Sequence, residues 1–269
     1  RFNIILGGEA GDAITTGTSN VAIGHGSLGA ESTHGKNTAV GHGTLAAQNA
    51  GADAYNVAVG YSAGNVISTG TCNTVLGAQA MSVGITTGDY NVVVGHKAGD
   101  AMTSGSYNIL LGTKAGDSLT SGSQNIAIGY EALQYEDTEG KNIAIGHQAL
   151  NSLRAAGDGY NIAIGDNAGL AMSTGINNVI IGGLAGDALT TGEYNIAIGR
   201  DALTTEDTGS RNVAMGYGAL YNLNFNGDAY NTAVGHSAGS QMTTGIRNTI
   251  LGGLAGDSLT SASYNTALG

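Results

Sequence analysis

Five of the six histidines, His25, His42, His96, His147 and His236, fall at one phase of a repeating pattern. Imidazole is a common metal ligand, and a zinc site needs three or four such groups converging. Only His25 and His42 occupy consecutive repeats, so the column reads as exposed polar residues at a strand exit. Aspartates recur at a second phase: Asp12, Asp100, Asp117, Asp187 and Asp257. Asp100 and Asp117 are the candidate calcium ligands. In stacked repeats they stand about 4.8 Å apart, and a cation would relieve their repulsion. The Gly-Gly-x-Gly-x-Asp nonapeptide of calcium-binding rolls is absent, and Asp is a common corner former. Thr pairs (Thr15-Thr16, Thr86-Thr87, Thr190-Thr191, Thr243-Thr244) and seven tyrosines (Tyr55, Tyr90, Tyr107, Tyr160, Tyr194, Tyr230, Tyr264) suggest lateral faces for ice or glycan. Adjacent threonines point to opposite sides of a strand, however, and aromatic ladders more often shield a corner or a subunit seam. No nucleophile recurs beside a base, and no Gly-rich loop leads into a helix. The expectation is a protein without catalysis and without a cofactor.

These residues are positioned by a five-residue motif: Asn, then an apolar residue or Thr, a small or apolar residue, an apolar residue and Gly. It begins at Asn3 and recurs sixteen times, through Asn125-Ile126-Ala127-Ile128-Gly129 and Asn142-Ile143-Ala144-Ile145-Gly146, to Asn265. Eleven of the fifteen intervals are 17 residues, three are 19 and one is 18. With Asn as position 1, the histidines stand at position 6, the aspartates at position 10 and the tyrosines at the residue before Asn, position 0. Seventeen residues rich in Val, Ile, Thr and Gly are too few for two helices and suit one coil of a β-solenoid. The reading is therefore all-β: a parallel β-roll of about sixteen coils, left-handed and homotrimeric, forming one continuous domain over residues 1–269. Stacking at ~4.8 Å gives a rod of roughly 70 Å. A longer period of four coils aligns the stretches from Asn142 and Asn212. The absence of polar capping segments at the ends suggests a piece of a longer fibrous polypeptide.

Each position receives a job. Gly at position 5, as in Gly129 and Gly146, marks a corner with positive φ or with no room for Cβ. Asn125, Asn142 and their equivalents cap corners and stack into a hydrogen-bonded ladder. Position 4 is apolar in all copies and is expected inside, with position 2. Position 3 would then face outward. It is Ala in ten copies and Ile5, Val75, Val93, Leu110, Ile180 and Ile250 in the others. An apolar stripe on an exterior invites self-association, so these six are the candidate trimer contacts. In 17-residue coils containing Ala-Leu, position 12 becomes Glu31, Glu136 or Glu206, and the interior apolar volume shifts to the Leu at position 9.

Composition narrows the partners. Of 269 residues 47 are Gly, none is Pro or Trp, and the net charge is −11 without a basic run. Nothing would neutralise phosphates, so nucleic acid is excluded. No apolar run is long enough to cross a bilayer as a helix. The single Cys72 forms no intrachain disulfide.

The motif Asn-Ile-Ala-Ile-Gly-x-x-Ala resembles the head repeats of trimeric autotransporter adhesins, which read Asn-Ser-Val-Ala-Ile-Gly. The 17-residue unit, as in Asn231-Thr232-Ala233-Val234-Gly235…Thr243-Thr244-Gly245, is more similar still to repeats of phage tail-fibre-type proteins. The resemblance covers nearly the whole chain. It implies a trimeric, extracellular fibre shaft or head, on a virion or a bacterial surface, that presents a region binding a receptor or cell-surface glycan. The alternative is a binding module whose lateral face recognises glycan or ice.

Overall fold

A computed structural model describes residues 2–138, 140–155 and 157–269. The chain is all-β, and the described residues contain no helix. Sixteen three-residue strands carry positions 2 to 4 of the motif: β1 (Ile4–Leu6), β2 (Val21–Ile23), β3 (Thr38–Val40), β4 (Val57–Val59), β5 (Thr74–Leu76), β6 (Val92–Val94), β7 (Ile109–Leu111), β8 (Ile126–Ile128), β9 (Ile143–Ile145), β10 (Ile162–Ile164), β11 (Val179–Ile181), β12 (Ile196–Ile198), β13 (Val213–Met215), β14 (Thr232–Val234), β15 (Thr249–Leu251) and β16 (Thr266–Leu268). They form a parallel β-solenoid. Two compact units result: residues up to Thr138 carry β1–β8, and those after it carry β9–β16. Within each unit every strand pairs in parallel with the next, position for position, as in Ala163↔Ile180 and Ala197↔Ala214. Coils of 17, 18 and 19 residues therefore all contribute one rung.

The interior is lined by position 3, not by positions 2 and 4. Ala22, Val75, Val93, Leu110, Ala163, Ile180 and Ile250 are fully buried, whereas the strand pattern at positions 2 and 4 is intermediate to exposed. Five of the six candidate trimer contacts are accordingly corrected. Val75, Val93, Leu110, Ile180 and Ile250 fill the coil cores. Ile5, in the first coil, is 46% exposed yet still points at the Gly11 side of its own coil, 3.2 Å from where a Cβ on Gly11 would stand. The physical reason is cross-section. A coil this small holds limited volume, and most coils fill it with Ala at position 3.

No coil places Leu at position 9 together with a residue larger than Ala at position 3, and position 3 also packs against position 9 of the preceding coil. Every coil with Leu at position 9 (Leu28, Leu45, Leu133, Leu150, Leu203, Leu220) has Ala at position 3. Where position 3 is larger, position 9 is Gly in five of six coils, the exception being Val75 with Met81. The contact is direct. A Cβ on Gly116 would stand 2.9 Å from Leu110 Cδ2, and one on Gly239 would stand 2.8 Å from Ile250 Cδ1. Close packing makes such pairs reciprocal.

This pairing is testable at the coil opened by Asn195. Ala197→Leu overpacks it and should cost about 1–3 kcal/mol. Leu203→Gly leaves a cavity and should cost about 2–5 kcal/mol. The double variant should recover at least about 1 kcal/mol relative to the sum in urea denaturation, because the two sites share one space. Strict additivity would refute the shared interior.

Candidate interaction surface

With position 3 inside, the even positions make the outer face. Position 2 is Ile, Val or Thr, and position 4 is Ile, Val, Leu or Met, in all sixteen strands. No charged side chain interrupts these two columns. They are half-buried by their axial neighbours and open outward: Val59, Leu76, Ile164, Met215 and Val234 remain 36–38% exposed. Positions 0 and 6 border them. Both margins are largely exposed, with Tyr55, Tyr90, Tyr107 and Tyr194 on one side and Tyr61, Tyr130 and Tyr217 on the other.

The margins are stacked ladders. At position 6, His25 lies on His42 at 5.2 Å, His42 on Tyr61 at 5.4 Å, and Tyr217 on His236 at 5.2 Å. His147 pairs with Asp166 at 3.1 Å. At position 0, Tyr90 stacks on Tyr107 at 5.1 Å, with their planes 7° apart. In the second unit Tyr194, Arg211, Tyr230, Arg247 and Tyr264 alternate aromatic and cation, with guanidinium-to-ring distances of 5.1–5.7 Å. Arg211 is also paired with Asp228, and Lys36 with Asp53 at 2.8 Å. Where ring faces are covered by their axial neighbours, mainly the edges remain for an outside ligand. This removes the flat platform that stacking against a sugar requires.

Position 0 also bears a backbone cost. Its residue has φ between 49° and 63° in every coil junction from Ser19 to Tyr264, and none is Gly. Left-handed conformation in an ordinary residue costs on the order of 1 kcal/mol. Stacking and ion pairing along the ladder offset it.

An Asn column is buried beside this face. Asn178 is fully buried. Its Oδ1 accepts the Asn195 backbone N–H at 2.9 Å, while its Nδ2 donates to Gly192 O at 2.9 Å and to Asn161 Oδ1 at 3.2 Å. One side chain thus closes its own coil and joins both neighbours. Asn125 donates its backbone N–H to Asn108 Oδ1 at 2.9 Å, and Asn142 Oδ1 accepts the Asn161 N–H at 3.1 Å. The glycine corner meets both sequence-stated reasons for its use. Gly129 and Gly146 have φ of 139° and 136°. A Cβ on Gly146 would stand 2.2 Å from Gly165 O.

The first threonine of each pair is bonded within the solenoid, while Thr191 and Thr244 are exposed. Thr15 Oγ1 donates to Ser32 O at 3.1 Å, Thr190 Oγ1 to Asp207 O at 2.7 Å and Thr243 Oγ1 to Thr260 O at 3.3 Å, so these hydroxyls run along the axis. Thr86 is buried and donates to Met102 O. Asp100 accepts from Ser82 Oγ at 2.5 Å. Burial, and secondarily the Asp100 charge, pushes the Asp117 carboxyl upward. No group of three or more His, Cys, Asp or Glu side chains converges among the described residues.

Sequence reasoning missed the role of the glutamates. Glu31, Glu136 and Glu206 stay inside, fully buried. Each belongs to the coil just before a 19-residue coil. Elsewhere the N–H groups at positions 13 to 15 converge on the next coil: Thr103, Ser104 and Gly105 all donate to Thr120 O at 2.8–3.2 Å. Before a longer coil that acceptor is displaced, and the carboxylate supplies one. Glu206 Oε1 accepts Gly209 N–H at 2.7 Å, and its Oε2 accepts Phe225 N–H from the next coil at 3.2 Å. Glu31 Oε1 accepts His34 N–H at 3.0 Å. Burial pushes the Glu206 carboxyl above its ordinary range, against the opposing pull of its N–H donors.

Comparison with protein-family models, curated proteins and solved structures finds no match.

Asn178→Ala should cost about 2–4 kcal/mol, since it strands a buried N–H and a buried carbonyl, measured by chemical denaturation. A change below about 0.5 kcal/mol would show that the column is dispensable. Glu206 provides a pH test. Its folded pKa lies above the unfolded one, so the folded state binds the proton more tightly. Stability must then fall as pH rises through that window and return on acidification toward the carboxylate range. Melting curves of Glu206→Gln and the parent should therefore diverge with rising pH, in favour of Gln. Parallel curves would contradict the shift.

Proposed function

We propose that this chain is part of a non-enzymatic fibre, the shaft or head of a phage tail fibre or of a bacterial surface adhesin. It acts outside the cell and holds a receptor-binding region away from the particle or cell that bears it. The observation that carries this reading is the outer face at positions 2 and 4, apolar or Thr in all sixteen strands. Within each unit these columns form a contiguous apolar surface, and such a surface marks an interaction site. Its even repetition suits a partner that runs alongside, and copies of the same chain are the economical partner. The nearest-neighbour architecture within each unit, where each strand pairs with the next, suits a load-bearing role. The motif's likeness to fibre and adhesin repeats agrees. No pocket opens among the described residues. The lateral-binding alternative is weakened by the stacked rings and by the axially bonded threonines.

The test is solution mass by light scattering. The proposal expects three times the 26.6 kDa of one chain. Ile164→Lys, on the outer column, should lower that mass while leaving the circular dichroism spectrum intact. A parent chain that stays monomeric would overturn the proposal.

A further inference from the structure

The 19-residue coil opened by Asn212 meets the Glu206 joint at Phe225. The next two residues, Asn226 and Gly227, are the one Asn-Gly pair in the chain, and both are exposed. An asparagine so placed is open to attack by the backbone nitrogen that follows it. Most residues hinder that approach with a Cβ, and glycine does not. Even a Cβ built on Gly227 would meet nothing nearer than Phe225 Cε1 at 3.7 Å.

Two hydrogen-bonding features favour the reaction. The Gly227 N–H is bonded to no group among the described residues. Asn226 Oδ1 accepts the Thr208 hydroxyl of the preceding coil at 2.7 Å. That donor polarises the amide carbonyl and stands where the oxyanion of the attack develops. The turn itself does not need the amide, since the coil opened by Asn142 has Ala156 at the same sequence place, before Gly157. The column asparagines are the opposite case. Asn178 and Asn195 are fully buried, and β-branched Val179 and Ile196 follow them.

We infer that Asn226-Gly227 is a self-modification site, converting to aspartate and isoaspartate in the folded chain with help from the Thr208 hydroxyl. The Gly227 nitrogen gives its proton to water and bonds to Asn226 Cγ. The amide nitrogen takes up a proton and leaves as ammonia, closing a succinimide. Water then opens the ring. Cleavage of the Cγ–N bond gives aspartate, and cleavage of the backbone C–N bond gives isoaspartate. Water is consumed, ammonia is released and nothing is oxidised.

The place gives the change an effect. The Phe225 N–H is held by Glu206 Oε2 at 3.2 Å, and Gly227 O accepts the Ser210 N–H at 2.9 Å. Asn226 lies between these anchors, and isoaspartate inserts a backbone carbon there. Either product also adds a carboxylate near Asp207, whose Oδ1 lies 3.3 Å from the same Thr208 hydroxyl. Like charges so placed repel. Conversion therefore loosens the Glu206 joint.

The test holds the full chain folded at mildly alkaline pH, digests it at acidic pH and reads the peptides by mass spectrometry. The Asn226 peptide should gain the mass of amide-to-acid exchange and resolve into two products, one of them a substrate for an isoaspartate-specific methyltransferase. Peptides carrying Asn178 and Asn195 should stay unchanged. Thr208→Val should slow the conversion severalfold. Asn226→Ala should abolish it with the circular dichroism spectrum intact. The aged parent should melt below Asn226→Asp, which carries the charge without the inserted carbon. Conversion of Asn226 in the denatured chain but not in the folded one would overturn the proposal, as would a rate indifferent to Thr208→Val.

Discussion

The buried Asn side chain is the interaction on which the rest depends. A three-residue strand offers few ladder bonds, and an isolated coil has little core. Asn178 joins position 1 of its coil to the carbonyl of Gly192 across the same coil, while bonding Asn195 above and Asn161 below. One amide thus satisfies intracoil closure and intercoil stacking together. From Asn20 to Asn125 and from Asn161 to Asn265, the backbone N–H of each column Asn finds a fixed acceptor on the Asn before it, where an unmet one would be costly. Registry of the strands and stacking of both margins accord with that column.

Much of the architecture was legible in the sequence, because it rests on residues with few alternative uses. Sixteen Asn and sixteen Gly at fixed phase left little else than stacked corners. The phase of the strand was not legible in the same way. Alternation fixes that positions 2 and 4 share a side, but both sides here are apolar, so the invariance of position 4 alone reads as burial. The decisive signal was volume rather than polarity. Leu203 opposite Ala197, and Gly186 beside Ile180, show that position 3 shares a filled space with position 9. An invariantly apolar column can instead lie on the exterior.

The glutamates eluded the same logic. A carboxyl replacing Leu or Met at position 12 reads as a residue that has moved outside. Its actual role depends on the coil that follows, which is longer and has withdrawn its carbonyl. Only the geometry of Gly209 and Phe225 around Glu206 reveals that the side chain substitutes for a missing backbone acceptor. Local sequence could show the coincidence of Glu with the next 19-residue coil, but not its cause.

The Glu joint has a consequence for how such a chain can vary. Most solenoid coils must match their neighbours atom for atom, so a length change in one would propagate a mismatch. Here a single carboxylate absorbs two extra residues at the seam, and the strand rung beyond it returns to register. Coil length and rung spacing are thereby uncoupled. Loops on the side away from the sheet are free to diversify in length and chemistry, while the opposite side keeps a constant pitch, much as beads of different size can hang from an evenly knotted cord.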